Sequence, residues 1–427
     1  MHGGQSQQEE KLQEMEMPRL WRSILAAAAG NLLEWYDFVI YAFMAPYIAA
    51  KFFPSSDPLA GLLAVFATFG LGFVVRPLGG ILIGRLGDRK GRKAALLLTI
   101  FLMAAGTAGI GLVPSRQSIG ALAPWLLLLC RLVQGFSAGG EWASATTFIY
   151  EWAPPRRRGF FSSLQQSSVA CGMLLGSGVT ASFTSLLSKS QMADFGWRIP
   201  FLLGALILPV GFYTWRRVEE TPVFKSSLDA PVAMGTGLKL AAKAIGVTVI
   251  WTVAYYAVLT YMPVFTAHFS RLGPAAALWS NALSLLVLAL TTPLFGSLAD
   301  RIGRKPLMIA GALGFAVLTY PLFLLIVDSE TMAPVILAQI LFALMTAVYS
   351  GATPAAMNEI FPPASRLLWM STGYSLATAL FGGFGPFIIA WLIGATGSKA
   401  APSYYLIFAA AVSLVALMAA RRKLGFR

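Results

Sequence analysis

Apolar runs separated by short charged stretches recur along the whole chain. Twelve of them reach the length of about 20 residues that a helix needs to cross a bilayer core. They lie at roughly 22–50, 58–84, 93–113, 121–147, 158–187, 197–216, 243–268, 275–299, 305–327, 333–358, 366–395 and 401–420. Several exceed that minimum, as tilted or kinked helices do. The longest internal hydrophilic stretch, 217–242, contains Glu219-Glu220-Thr221-Pro222 and several basic residues. It reads as a linker between a first block of six spans, 21–216, and a second, 243–420, with polar tails at 1–20 and 421–427. The N-terminal tail has no cleavable-signal pattern and is expected to be disordered. Small residues four apart, Gly135/Gly139 and Gly172/Gly176, predict helices that approach closely in lipid.

With 57% hydrophobic and only 12% charged residues, the chain is too apolar for a soluble protein of 427 residues. Its net charge of +14 would suggest nucleic acid in a soluble protein, so the placement of the charge decides its meaning. If the N-terminus is cytoplasmic, 24 of the 32 Lys and Arg residues fall in inner segments and six in outer loops; Arg76 and Arg131 remain inside apolar runs. That asymmetry predicts both termini in the cytoplasm by the positive-inside rule and leaves no need for a nucleic-acid partner. Cys130 and Cys171 both lie in apolar segments and suggest no disulfide framework. His268 falls at the outer end of the seventh segment and His2 in the tail.

Two elements return at half-chain spacing. Gly84-Arg85-Leu86-Gly87-Asp88-Arg89-Lys90-Gly91-Arg92-Lys93 matches Gly296-Ser297-Leu298-Ala299-Asp300-Arg301-Ile302-Gly303-Arg304-Lys305 at seven of ten positions, 212 residues on. Glu151-x-x-Pro154-Pro155-x-x-Arg158 returns as Glu359-x-x-Pro362-Pro363-x-x-Arg366. A duplicated chain of two equal halves is implied. The glycines suit a tight turn, and the Asp can accept hydrogen bonds at the N-terminus of a neighbouring helix. The decapeptide resembles the loop between the second and third helices of the major facilitator superfamily, and its copy falls at that family's eighth-to-ninth loop. The resemblance implies an all-α membrane protein with the major facilitator fold, twelve transmembrane helices in two pseudo-symmetric six-helix bundles, moving solute by alternating access. Asp88, Arg92, Glu151, Arg158, Asp300, Arg304, Glu359 and Arg366 are then candidate latches at the inner face. Glu141, near the inner end of the fourth segment, is a structural candidate.

A charge near the bilayer centre costs about 2.5–3.5 kcal/mol on insertion scales, so each such residue needs a partner or a function. Asn31, Glu34, Asp37 and Tyr41 fall within about 120° of the helical wheel, a polar stripe on an otherwise apolar first segment. Arg131, Gln134 and Glu141 form a second stripe on the fourth segment, with Arg131 at a depth similar to Asp37. An Asp37–Arg131 pair is therefore expected, each ion offsetting the other's desolvation. Arg76 lies deeper and precedes Pro77. The second half offers hydroxyls and amides instead: Tyr255, Tyr256, Thr260, Tyr261, Asn281, Ser284, Tyr349, Ser350, Thr353, Tyr374 and Ser375. Such groups orient a polar ligand without adding charge. From this contrast we expect charge handling in the first half and recognition of shape in the second, around a midplane site.

A finer resemblance rests on Gly30-Asn31-Leu32-Leu33-Glu34-Trp35-Tyr36-Asp37-Phe38, Arg76-Pro77-Leu78-Gly79-Gly80, Arg131-x-x-Gln134-Gly135, Trp197-Arg198-Ile199-Pro200-Phe201 and Glu219-Glu220-Thr221-Pro222-Val223-Phe224. These look like the metabolite:proton symporter branch, whose members take up organic acids and zwitterions. Ala277-Leu278-Trp279-Ser280-Asn281, leading into the second decapeptide, is most similar to the citrate and tricarballylate members. The sequence stops at Arg427 without the long hydrophilic extension of the osmosensing betaine members, which favours a carboxylate. The resemblance implies proton handling by Glu34 and Asp37 and a matching role for Arg131. Asn31, Tyr41, Arg76, Gln134, Tyr255, Tyr256, Asn281, Tyr349, Ser350 and Tyr374 complete the candidate substrate site.

The expected activity is proton-coupled uptake of an organic acid, citrate or a related tricarboxylate first, with 2-oxoglutarate, shikimate or betaine and proline as alternatives. The protein is expected to act as a monomer in a bacterial cytoplasmic membrane, without a cofactor. With Arg76 and Arg131 set against Glu34 and Asp37 the site is near neutral, so an anion is poorly held until an acid takes a proton. Proton and substrate then favour each other's binding, which is symport stated as linkage. An exporter of hydrophobic cations fits the two intramembrane arginines poorly. No metal-ligand cluster, nucleotide loop or nucleophile motif supports an enzyme.

Overall fold

The apolar runs fold as helices, and their ends follow from local chemistry. The computed structural model describes residues 21, 24, 28, 31–32, 34–80, 82–83, 92–139, 141–206, 208–209, 233–361 and 366–419. For 92–97, 100, 141, 144, 148, 152, 205–206, and 367 it describes the backbone only. Asp88 lies outside the described residues, as do the side chains of Arg92 and Glu141. The polar tails 1–20 and 421–427 and most of the predicted linker lie outside them too.

The first helix, α1, covers 34–43 and is followed after a turn at Met44 by α2 (Ala45–Phe52), which carries Pro46 in its first turn. The Asp57 side chain accepts from the Leu59 amide at 2.9 Å and so caps α3 (Pro58–Val74), whose apolar course runs on to Gly80. Next come α4 (Arg92–Leu112), α5 (Leu122–Ala138), α6 (Glu141–Trp152), α7 (Arg158–Leu186) and α8 (Ile199–Leu206). The second half contains α9 (Met234–Val253), α10 (Met262–Phe269), α11 (Pro274–Ile302), α12 (Arg304–Ile326), α13 (Met332–Ile360), α14 (Arg366–Ala377), α15 (Gly385–Thr396) and α16 (Pro402–Ala419). Among the described residues, eight helices are long and apolar enough to cross a membrane.

Three predicted boundaries move. Helix α9 begins at Met234, inside the stretch read as linker, because hydropathy marks the bilayer-facing part of a helix and Met234–Lys243 contains no proline to stop it. The predicted 121–147 span breaks at Gly139 into α5 and α6. The predicted 243–268 and 366–395 spans each contain a wide turn of π-helix, at Ala254–Thr260 and Thr378–Gly383. A proline follows each of them, Pro263 and Pro386, in the first turn of the next helix. A proline ring removes one ladder donor and displaces the carbonyl four residues back. Within the first of these turns the Thr260 hydroxyl donates to the Tyr255 carbonyl at 2.9 Å.

Close helix approach depends on glycine at the expected positions. A Cβ on Gly135 would come within 1.6 Å of the Gly72 carbonyl oxygen, and one on Gly139 within 2.0 Å of the Arg76 carbonyl oxygen, so α5 and the α3 span are in backbone contact. The two halves of the chain meet along α7 and α11, which run antiparallel. Ser163 sits against Gly296, Ser167 donates to the Ala289 carbonyl, Ser177 donates to the Leu278 carbonyl at 2.9 Å, and Ser185 accepts from the Trp279 indole at 3.4 Å.

Candidate functional site

The second decapeptide shows what its residue types are for. Asp300 ends α11, Gly303 turns the chain at a φ of +93°, which favours glycine, and Arg304 opens α12. Both carboxylate oxygens of Asp300 accept from the first amides of α7, Gly159 at 2.8 Å and Phe160 at 2.9 Å. A carboxylate at a helix N-terminus is favoured by the unpaired amides and the helix dipole. Arg304 binds Asp300 at 3.0 Å and Glu359 at 3.3 Å. The other repeat crosses the halves as well: Arg366 pairs with Glu151 at 3.0 Å. Arg158 lies 4.5 Å above the Tyr150 ring and donates to its hydroxyl at 3.3 Å.

Deeper in the bundle, the four intramembrane charges pair differently from the expectation. Glu34 meets Arg76 at 3.5 Å, with both side chains under 5% exposed. Arg76 also donates to the Ala138 carbonyl at 3.2 Å and to the Tyr256 hydroxyl at 3.4 Å. Among the described residues no ion pair joins Asp37 to Arg131. Instead Arg131 lies 4.3 Å from the Tyr41 ring centre and 4.7 Å from that of Phe69, and donates to Gln134 Oε1 at 2.6 Å. Gln134 Nε2 donates to the Thr107 hydroxyl at 2.6 Å, and Thr107, whose own hydroxyl donates to the Met103 carbonyl at 3.0 Å, stands beside Asp37. In place of the predicted pair, two polar side chains, Thr107 and Gln134, stand between Asp37 and Arg131. The reason is electrostatic: the aromatic faces of Tyr41, Phe69 and Phe38 attract the guanidinium and hold it where it stands.

The remaining candidates divide sharply. Asn31 donates to the Gln165 carbonyl and the Ser168 hydroxyl, tying α7 to the start of the chain's first helical stretch. Tyr41 bonds Thr68, and Tyr349 donates to the Val247 carbonyl at 2.6 Å. These three are engaged in holding helices together. Asn281 and Ser350 are buried, each with a polar side-chain atom lacking a protein partner. Tyr255, Tyr256 and Tyr374 come together around a narrow, partly open cleft between the halves, with room for little more than a water molecule.

Six aromatic rings wall that cavity, with Gln166, Val169 and Thr252 completing it. Trp35 comes from α1, Trp142 from α6, Trp251 from the end of α9, Tyr255 and Tyr256 from the first π-turn, and Tyr374 from α14. Trp142 stacks on Tyr374 with ring centres 4.1 Å apart, and Trp35 lies 5.4 Å from Tyr256. None of the nine lining side chains carries a formal charge. Arg76 stands just behind the wall, 5.9 Å from the Tyr374 ring and bonded to Tyr256. Sequence reasoning passed over Trp142, Trp251 and Thr252. A signal was present: tryptophan in membrane spans favours the interfaces, and a mid-span Trp beside a Thr, one turn before two tyrosines, is out of place there.

Comparison with known proteins agrees with this architecture. Residues 23–229 match the family model described as Sugar (and other) transporter, and residues 270–424 match the Major Facilitator Superfamily. The proline/betaine transporter of Escherichia coli strain K12 is 33% identical over 414 residues, covering 93% of this chain and 82% of the relative. The chain belongs to the major facilitator superfamily. It is a multi-pass membrane transporter, not an enzyme. The citrate-proton symporter of Klebsiella pneumoniae is 36% identical over 400 residues, covering 92% of this chain and 90% of that protein. The xylose symporter XylE, solved with 6-bromo-6-deoxy-D-glucose, superposes with a TM-score of 0.75 at 19% identity, covering 93% of this chain and 94% of its own. That likeness is one of fold, and it fits a facilitator whose cavity sits between two chain halves.

Proposed function

We propose that this transporter carries a small zwitterion into the cell together with protons, the substrate pairing an alkylated or cyclic ammonium with a carboxylate, as glycine betaine and proline do. The observation that carries the reading is the uncharged cleft walled by three tryptophans and three tyrosines. Aromatic faces attract a diffuse cation, and cages of such rings suit quaternary ammonium ligands. A net-neutral ligand needs no surplus of arginine, and Arg76, the arginine behind the cavity wall, is already paired with Glu34. The resemblance to a proline/betaine transporter supports the same class.

Coupling runs through the Glu34–Arg76 pair and Asp37. A proton on Glu34 would release Arg76 beside Tyr256, which lines the cavity, so protonation and substrate would act on one wall. Alternating access would follow from rocking a first six-helix bundle, 21–216, against a second, 243–420, about a cytoplasmic linker at 217–242, twelve spans in all. Both termini would lie in the cytoplasm of a bacterial cell and the monomer would be the working unit. The Asp300, Arg304, Glu359, Glu151 and Arg366 contacts would latch the inner face, with Asp88, Arg92, Arg158 and Glu141 as further members.

A tricarboxylate is the second reading. It is favoured by the similarity to a citrate-proton symporter and by a buried arginine, Arg76, against the cavity wall. Uptake into proteoliposomes separates the two, using labelled glycine betaine, proline and citrate with an inward proton gradient and again after an uncoupler. Gradient-dependent accumulation of betaine or proline is expected. Accumulation of citrate alone would replace the zwitterion by the tricarboxylate, and accumulation that ignores the uncoupler would remove the symport.

A further inference from the structure

The cavity walls are aromatic, yet buried donors line them. Trp142 Nε1, Trp251 Nε1, the Thr252 hydroxyl and the Tyr255 hydroxyl are each without a hydrogen-bond partner among the protein's atoms. Their residues are only 2–4% exposed, and all four belong to the cavity lining. Trp251, Tyr255 and Ser350 are close neighbours, but none of the three completes a well-formed bond to another. Buried donors are ordinarily paired, and one left unpaired is costly, so four around one cavity point to an acceptor that enters from outside.

The donors also come from both halves. Trp142 is carried by α6 of the first half and Trp251 and Thr252 by α9 of the second, with the two indoles 5.5 Å apart between ring centres. An anionic oxygen pair between them would be held by both halves at once. Neutral donors suit a carboxylate whose charge is balanced within the ligand, because a bare arginine there would repel the ligand's own cation.

Resting on the zwitterion reading above, we propose that the substrate carboxylate is bound by uncharged donors, the indole N–H groups of Trp142 and Trp251 and the Thr252 hydroxyl, while the arginines stay behind the cavity wall. The ammonium end then faces the rings of Tyr256, Tyr374 and Trp35. The carboxylate becomes the part of the ligand that ties α6 to α9, so ligands without it bind but do not draw the halves together.

The test compares glycine betaine with choline, an onium of similar size that lacks the carboxylate. Competition against labelled glycine betaine is measured with the full-length protein in proteoliposomes, for the unaltered chain and for Thr252→Val, Thr252→Ser and Trp142→Phe. Thr252→Val is expected to weaken betaine roughly tenfold, the usual effect of losing one hydrogen bond to a charged group, with choline unchanged. Thr252→Ser should restore the preference. Trp142→Phe, which keeps a ring and loses the N–H, is read the same way and serves if Thr252→Val does not fold. Equal weakening of both ligands, or an unchanged preference, overturns the assignment. If the unaltered protein takes citrate and not betaine, the zwitterion reading fails alone, and the same variants are read on citrate against its trimethyl ester. A selective loss of citrate then keeps the donors, and an equal loss discards them. Binding of none of these ligands discards both.

Discussion

Removing the Glu34 carboxylate should destabilise the protein more than removing its partner's charge as well. The pair is 3.5 Å apart and under 5% exposed on each side, so little water screens it. At an effective dielectric near 20 the attraction at that distance is about 5 kcal/mol. Breaking a buried pair by deleting one member costs about 3–5 kcal/mol, because the other charge is left uncompensated. In Glu34→Gln the remaining cation is Arg76, which keeps the Ala138 carbonyl, the Tyr256 hydroxyl and the nearby rings of Phe73, Phe38 and Tyr374 but no anion, and cannot shed its proton. In Arg76→Gln the remaining acid can neutralise itself by taking a proton. For a chain of this length, about 2 cal/mol/K per residue converts these losses to roughly 1 °C per kcal/mol. Glu34→Gln should therefore lower the thermal midpoint by about 3–5 °C, followed by tryptophan fluorescence in detergent. Arg76→Gln should lose less as pH falls, and the double variant should recover most of the loss. A double variant as unstable as Glu34→Gln would refute the argument, since it would show that the two residues do not offset each other.

Three further tests address other links. Gly135→Leu places side-chain atoms where the Gly72 carbonyl stands, so the yield of monodisperse protein should collapse, while Gly178→Leu, with open space around it, should purify normally. Asp300→Asn replaces the charge that caps α7 and should weaken that end by about 1 kcal/mol, roughly a fivefold shift toward an opened inner face. Alkylation of a Ser163→Cys probe, in a background lacking Cys130 and Cys171, should speed up accordingly, and an unchanged rate would count against the latch. Gln134→Leu removes the side chain that bridges Arg131 and Thr107; proton-driven accumulation should fall at least tenfold while exchange of substrate across the membrane without a gradient persists. If exchange fell equally, Gln134 would be contacting substrate instead of positioning Arg131.

Much of the architecture is written in local pattern. A span announces itself by its length of apolar residues, a decapeptide repeated at half-chain distance announces duplication, and Gly135 and Gly139 announce contact because nothing larger fits beside a neighbouring backbone. Charges in apolar runs stand out singly, so Glu34, Asp37, Arg76 and Arg131 can be found by eye. Even the capping role of Asp300 follows from its chemistry.

Partnership could not be read in the same way. Depth along a helix suggested Asp37 with Arg131, but depth is one coordinate, and pairing depends also on rotation and on what stands between. The rings of Tyr41, Phe69 and Phe38 hold Arg131, and Thr107 and Gln134 fill the gap to Asp37. The aromatic cavity was hidden for a related reason. Trp142 and Tyr374 stack although 232 positions separate them, and in each local sequence an apolar ring looks like packing. Only the folded arrangement of α1, α6, α9 and α14, with a π-turn that presents Tyr255 and Tyr256 together, converts separate core residues into one aromatic surface. Sequence by itself therefore determined which apolar stretches fold as helices and which charges need explaining. The tertiary structure decided which groups face each other, because that rests on helix rotation and long-range packing that no local pattern encodes.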